Sequence, residues 1–111
     1  MKYKIVFSEN AKDDLIGIVR YLSIKLLEPN IAKKLSNRIL KCIKSLDEIP
    51  NRHRLCDHKA WKERGLKILP VENYLVFYLV DEINRTVKIY RIIYGKRDLK
   101  NQLDDKITFE E

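Results

Sequence analysis

Cationic and aromatic side chains with the chemistry to hold a phosphate group lie close together near the end of the chain. The stretch RIIYGKRD, residues 91–98, carries Arg91, Tyr94, Lys96 and Arg97 around one glycine. Lysine and arginine can bind a phosphate and stabilise its developing charge, while a tyrosine can stack on a base or move a proton. A second cationic stretch, KERGLK, contributes three further candidate residues: Lys62, Arg64 and Lys67.

Each candidate also has a purely structural interpretation. Arg91 interrupts an apolar run, and strand alternation predicts it on the same face as Val87, Ile89 and Ile93. It must therefore reach the rim of the sheet, or find an acidic partner in the fold or a phosphate. Alternation places Tyr94 on the opposite face, together with Lys88 and Tyr90. For the other cations, the structural interpretation is that they lie on an ordinary solvated surface.

Gly95 and Asp98 frame the end of the same stretch. Gly95 allows the chain to bend as Lys96 and Arg97 leave the sheet. Asp98 is predicted mainly as the cap of a short final helix, DLKNQL. Together with the strand pairing predicted for KERGLK, the bend leads us to expect the two cationic stretches to converge.

Hydrophobic periodicity predicts the elements that must position these residues. KYKIVF, residues 2–7, alternates as a half-buried strand does, and Ser8 is a good N-cap for a helix over residues 9–26. Pro29 suits the first turn of a second helix, which ends before Pro50. The apolar seam of that helix includes Cys42 and predicts a helical hairpin.

Three strands complete the chain: LKILPV, NYLVFYLV and TVKIYRIIY. Short polar turns separate these strands, as in hairpins. NYLVFYLV is apolar on both faces and should be a central strand, whereas Pro70 cannot donate a backbone hydrogen bond and belongs near an edge. Residues 51–63 show neither period and are predicted to be a long surface connection, in which the ring of Trp61 is expected to anchor the chain to the core. The order β-α-α-β-β-β predicts an α+β fold, with the helical hairpin packed on a small antiparallel sheet.

Composition limits the class of protein. The 111 residues, 45% of them hydrophobic and 35% charged, suit one folded domain spanning residues 1–111. The net charge is +7, which favours an anionic partner. No stretch has the apolar length of a signal peptide core or a membrane span, so a cytoplasmic protein without membrane contact is expected.

A metal site and a disulfide are not expected. HRLCDH places four potential ligands in one short loop, unlike the spaced ligand pairs of ordinary zinc sites: His53, Cys56, Asp57 and His58. The two cysteines are Cys42 and Cys56, and a buried thiol on an apolar stripe behaves as a small hydrophobe. We therefore expect no metal and no cofactor.

The chain resembles the RelE/ParE toxins of bacterial type II toxin–antitoxin, or plasmid stabilisation, modules. The resemblance covers nearly the whole chain and lies in YKIVFSENAKDDL, in the EP-linked helical hairpin and in VENYLVFYLVDEINRTVKIYRIIYGKRD. It implies a helical hairpin on a small curved antiparallel sheet. It also implies a partner, an antitoxin encoded by an adjacent gene that covers the basic groove.

Members of this family divide in activity. RelE-like toxins cut messenger RNA on the ribosome without a metal, and ParE-like toxins inhibit DNA gyrase. For a nuclease, the resemblance implies catalytic roles for Tyr94, Arg97 and Arg64. The cations expected to bind the nucleic acid or other target are Lys62, Lys67, Arg91 and Lys96.

Two departures from the RelE-like pattern favour gyrase as the target. Leu75 follows Tyr74 where RelE-like nucleases often carry an arginine, and Leu99 stands where they often end with a catalytic tyrosine. YGKRD instead resembles the HGxRD ending of ParE-like members, with Tyr94 in place of the histidine. The alternatives are a ribosome-dependent messenger RNA endonuclease and an inactive basic binding module of the same fold.

Overall fold

The computed structural model describes residues 2–56 and 59–95, without the side chains of Arg52 and Lys59. The helices and strands run in the order β1 (Lys4–Phe7), α1 (Glu9–Arg20), α2 (Pro29–Lys44), α3 (Lys59–Glu63), β2 (Lys67–Val71), β3 (Tyr74–Asp81) and β4 (Thr86–Tyr94). The predicted α+β fold, with a helical hairpin packed on a small sheet, is confirmed. The predicted final helix, DLKNQL, lies outside the described residues.

The first helix begins directly after its N-cap Ser8, as the sequence predicts. The Ser8 side chain accepts a hydrogen bond from the Ala11 amide at 3.0 Å and donates one to the Tyr90 carbonyl at 2.7 Å. The predicted helical segment continues beyond α1 as a π-helical turn, Tyr21–Lys25. Ser8 therefore caps α1 and ties its first turn to β4.

The second helix starts at Pro29, as predicted, and buries Ala32, Ile39 and Ile43 against the sheet. Short 3₁₀ turns, Ser45–Asp47 and Pro50–Arg52, follow it. The Tyr78 hydroxyl donates to the Pro50 carbonyl at 2.6 Å and holds this connection to β3. No helix among the described residues is long and apolar enough to cross a membrane.

The sheet has the strand order β1-β4-β3-β2. Strands β2, β3 and β4 pair antiparallel, with β3 inside the sheet and Pro70 on the edge strand, as predicted. Strand β1 pairs in parallel with β4, from Lys4 opposite Thr86 to Phe7 opposite Ile89. The sheet is therefore mixed. Alternation in the sequence does not reveal the parallel pairing, because it indicates which face of a strand is buried and not the direction of its neighbour.

A β-bulge shifts the register of β4 against β3. Tyr78 pairs with Ile89 and Phe77 pairs with Arg91, so Tyr90 is an extra residue in β4. Beyond the bulge, Ile92 lies in the core under the helices and Ile93 in the core on the other face. The prediction that Val87, Ile89, Arg91 and Ile93 share one face is wrong, since it assumed unbroken alternation.

Both faces of the sheet are covered. The helical hairpin packs on one face over a core that includes Ile39, Tyr78 and Ile89, with Cys42 partly buried beside it. On the far face, Cys56, Leu66 and Phe77 form a second core with Trp61 packed against it. The segment predicted as an irregular connection contains the helix α3, which is too short for periodicity to reveal. Trp61 anchors this segment to the core, as predicted.

Candidate functional site

The edge of β4 is completed by α1 where β1 ends. The Ser8 amide donates to the Ile89 carbonyl at 2.9 Å, one residue after the last pair of the parallel ladder. Further along, the Ile92 amide donates to the Asp14 carboxylate at 2.9 Å. A side chain of the helix therefore substitutes for the missing neighbouring strand, and this fixes α1 against β4.

Arg91 is neutralised within the fold. Its Nε donates to Asp14 Oδ2 at 2.7 Å and its Nη2 donates to Asp14 Oδ1 at 2.9 Å, which is a bidentate pair. Their side chains are only 9% and 16% exposed. The sequence left open whether Arg91 pairs with an acid in the fold or binds a phosphate. In the structure it pairs with the acid Asp14.

A groove of about 1090 Å³ lies above this ion pair. Its walls come from α1, the π-helical turn, α2 and the ends of β3 and β4, including Ile18, Leu22, Lys34 and Tyr74. Arg38 and Glu72 form an exposed ion pair at 3.6 Å on its rim. The groove is thus apolar along its helices and charged at its border.

Tyr94 also lines this groove. It stands opposite Tyr74 in the β3–β4 ladder, with the two ring centroids 5.5 Å apart. Gly95 follows, and its amide donates to the Asn73 carbonyl at 2.9 Å. A Cβ on Gly95 would lie 3.3 Å from that oxygen, so the tight turn favours glycine.

A separate aromatic and cationic cluster lies on the far face of the sheet. The Trp61 and Tyr90 rings are 4.9 Å apart, and the Arg64 guanidinium stacks 4.6 Å from the centre of the Trp61 ring. Burial raises the pKa of the Tyr90 hydroxyl, and Arg64, which hydrogen bonds to that hydroxyl, opposes the rise. Tyr90 and Tyr94 thus face different surroundings, contrary to the prediction that they share a face, because the bulge intervenes.

The remaining candidate cations are placed apart from Tyr94. Lys62 is exposed on α3. Lys67 begins β2 opposite Tyr78, and its Nζ reaches the His53 carbonyl at 3.4 Å. Tyr94 stands opposite Tyr74, and Tyr74 and Tyr78 are about 13 Å apart along β3. The backbones of Lys67 and Tyr94 are therefore offset by about that distance along the strand direction.

The predicted convergence of the two cationic stretches depends on Lys96 and Arg97 and stays a prediction. Arg64 stacks on α3, Lys67 lies at the start of β2 and Arg91 is paired with Asp14. Lys96 and Arg97 fall outside the described residues. Among the described residues of the candidate site, Tyr94 and Arg91 line the groove, and Arg91 does so as part of its pair with Asp14.

Sequence reasoning missed Asp14 and Tyr90. The predicted need of Arg91 for an acidic partner could have indicated Asp14, because Asp13 and Asp14 both lie near the start of the predicted first helix. Nothing in the sequence pattern revealed the bulge that turns Tyr90 towards Trp61. Its detection requires the strand register.

Comparison with known proteins identifies the family. A model described as "ParE toxin of type II toxin-antitoxin system, parDE" matches residues 5–99, which is most of the chain. This chain belongs to the ParE toxin family. The matched region includes both hairpin helices and, apart from Lys4 at the start of β1, the whole sheet of this ParE-family toxin.

Solved structures share its fold. The chromosomal ParDE system of P. aeruginosa aligns with a TM-score of 0.70 and 20% identity, over 86% of this chain and 98% of that one. The RelBE2 toxin–antitoxin complex of Mycobacterium tuberculosis gives 0.57 and 20%, over 85% and 99%. A variant of E. coli toxin RelE in the free state gives 0.64 and 12%, over 92% and 93%. No curated protein sequence matches this ParE-family toxin directly.

Proposed function

We propose that this ParE-family toxin arrests growth in the cytoplasm by inhibiting DNA gyrase. The observation that carries the proposal is the bidentate pair between Arg91 and Asp14. Cleavage of RNA without a metal requires several cations that converge on one phosphate, with a proton-transfer group beside them. A guanidinium whose charge is already balanced within the fold contributes little to such a centre.

The positions of the other cations support the same choice. Among residues 2–56 and 59–95, the cations of the candidate site lie at three separate places, on α3, at the start of β2 and under α1. Tyr94 stands with Tyr74 at the groove, where its ring is available for contact. This arrangement suits a toxin that acts by binding a protein target better than one that acts on a scissile phosphate.

An antitoxin from the adjacent gene is the proposed partner. The P. aeruginosa and Mycobacterium tuberculosis structures are described as toxin–antitoxin systems. In this chain, the groove combines apolar walls at Ile18 and Leu22 with cations at Lys34 and Arg38. Such a surface fits an amphipathic, acidic segment that lies along the helical hairpin or adds to a sheet edge.

Induced expression with and without the adjacent open reading frame tests toxicity and neutralisation together. We expect growth arrest from the toxin alone, normal growth with both genes, and co-purification that survives high salt where apolar contacts dominate. Normal growth at confirmed soluble expression of the toxin alone would refute the toxin assignment. Failure of the two proteins to co-purify at any salt would refute the partnership.

Two substitutions separate the mechanisms. Arg97→Ala should abolish toxicity with little change in thermal stability, provided that its cation contacts the target. Tyr94→Phe should leave gyrase inhibition nearly intact, because the ring is retained. A nuclease that uses the hydroxyl for proton transfer would lose on the order of a hundredfold or more in rate.

Both variants are compared with the unaltered toxin in a gyrase supercoiling assay and a ribosome-dependent cleavage assay. Inhibition of supercoiling that survives Tyr94→Phe supports the proposal. Ribosome-dependent cleavage that collapses in Tyr94→Phe, without any effect on supercoiling, would identify a RelE-like endonuclease instead. Full activity of Arg97→Ala in both assays would remove Arg97 from the site.

A further inference from the structure

Every charged residue of α2 is a cation. The helix PNIAKKLSNRILKCIK contains no acidic residue and five cations: Lys33, Lys34, Arg38, Lys41 and Lys44. All five are exposed. Arg38 lies 3.6 Å from Glu72, and the four lysines have no ion pair within residues 2–56 and 59–95.

These cations form one continuous strip. At 3.6 residues per turn they occupy an arc of about 140°, opposite the buried side chains of Ala32, Ile39 and Ile43. The strip extends about 16 Å along the helix from its first to its last lysine. The only uncharged residues within the arc are Asn30 and Asn37, both exposed and polar. The surface is therefore cationic and hydrated throughout.

The chemistry of this strip distinguishes among anionic partners. A membrane-binding helix needs one apolar face that enters the lipid. The exposed apolar side chains of α2, Ile31 and Leu40, lie at opposite borders of the arc, about 180° apart, so they form no such face. The centres of protein interfaces are depleted in lysine and enriched in aromatic side chains, which is the reverse of this face. Lysine and asparagine are, however, ordinary donors to the phosphates of nucleic acids.

The shape of the strip favours duplex DNA over duplex RNA. The major groove of B-DNA is about 12 Å wide and admits an α-helix, with phosphates on both sides. The major groove of A-form RNA is deep and too narrow for side chains to read. A helix with cations spread across an arc of this width can reach both backbones of B-DNA.

We propose that α2 is a binding surface for the phosphate backbone of double-stranded DNA, independent of base sequence. The proposal does not rest on gyrase inhibition, since the toxin is tested on DNA alone. Lys34 and Arg38 also line the groove assigned above to the antitoxin, whereas Lys33, Lys41 and Lys44 do not. The last three lysines therefore define the experiment.

The test measures binding of a fluorescent duplex of about 20 base pairs by anisotropy over a range of salt concentrations. The variant Lys33→Gln/Lys41→Gln/Lys44→Gln is compared with the control Lys2→Gln/Lys4→Gln/Lys12→Gln, which removes the same charge from exposed positions elsewhere. Glutamine and lysine have similar helix propensities, so α2 should persist, and circular dichroism verifies this.

Each lost phosphate contact should lower the slope of log affinity against log salt by about 0.9. We therefore expect the α2 variant to show a slope shallower by about 2.7 and an affinity lower by on the order of a hundredfold at 0.1 M salt. The control should retain the unaltered slope and stay within about threefold in affinity, because long-range charge alone adds little beyond a Debye length.

Several results would overturn the proposal. An α2 variant that binds DNA like the unaltered toxin excludes the strip, and a control that loses as much affinity shows that only net charge matters. Duplex RNA bound as tightly as DNA contradicts the groove argument. Binding of anionic vesicles or of a polyglutamate peptide through the same lysines, without DNA binding, assigns the strip to another class of partner.

Discussion

Replacement of Asp14 by alanine should destabilise the fold strongly. The Asp14 carboxylate accepts three hydrogen bonds: two from the Arg91 guanidinium, at 2.7 and 2.9 Å, and one from the Ile92 amide at 2.9 Å. Its loss leaves a guanidinium that is 9% exposed without its counter-charge and also frees a backbone donor at the edge of β4. Both effects act against the folded state.

The magnitude follows from these contacts. Removal of one partner of a largely buried ion pair costs about 3–5 kcal/mol. The Ile92 amide also loses its acceptor, and we count this loss within the same range. We therefore expect Asp14→Ala to lower the free energy of unfolding by about 4 kcal/mol. For a domain of this length that corresponds to a fall in Tm of about 17 °C. Urea and thermal denaturation, followed by far-ultraviolet circular dichroism, measure both quantities.

Two comparison variants make the experiment specific. Asp13→Ala alters the exposed neighbour on the same helical turn and should change stability by less than about 0.5 kcal/mol. Asp14→Leu/Arg91→Met replaces the pair by apolar side chains and should recover more than half of the loss, because no buried charge remains. A loss below about 1 kcal/mol in Asp14→Ala, or no recovery in the double variant, refutes the reasoning.

The double variant also tests the role of Arg91 in function. If Arg91 serves the fold and not the target, the folded double variant should still arrest growth when expressed alone. Loss of toxicity with recovered stability would return Arg91 to the target-binding surface. This comparison separates the two roles that the sequence left open.

Three further outcomes are expected. Hydrogen bonds from Asn51 and Tyr3 hold the pKa of Glu82 below its ordinary value of 4.5. The ionised Glu82 therefore stabilises the fold above that pH, and this contribution is lost as the pH falls through the lowered pKa. Glu82→Gln should make the stability depend less on pH on the acid side. Arg64→Ala should raise the pKa of Tyr90 further, as read from the ultraviolet absorbance of tyrosinate. Ser8→Ala removes the helix cap and the bond to the Tyr90 carbonyl and should cost about 2 kcal/mol in urea denaturation.

Matched controls accompany these three. Glu48→Gln changes an exposed acid that has no recorded hydrogen bond within the described ranges, and it should leave the acid profile unchanged. Lys62→Ala removes an exposed cation of α3 and should not shift the Tyr90 titration as far as Arg64→Ala does. Ser36→Ala alters a serine of α2 away from any cap. If a control matches its test variant, the corresponding contact does not have the proposed effect.

The sequence by itself determined the long helices and the strands of this toxin and their order, but not the short helix α3. Ser8, Pro29 and Pro70 are local signals, since capping, a missing amide and a fixed backbone angle act within a few residues. The apolar alternation of the strands and the helical seam similarly predicted which faces are buried, except in β4 beyond its bulge. The cationic strip of α2 was also present in the sequence, because helix geometry alone converts its spacing into one face.

Tertiary structure alone decided how the strands and the candidate residues meet. The parallel pairing of β1 with β4 depends on the path of the chain through the helical hairpin, which no local pattern encodes. The extra residue at Tyr90 reverses the faces of the following side chains, because side chains alternate with a period of two and one inserted residue shifts them all. Arg91 finds Asp14 across 77 residues of sequence. That contact exists only once α1 has docked on the edge of β4, and it is the packing of helix on sheet that decides whether the arginine faces a target or a carboxylate.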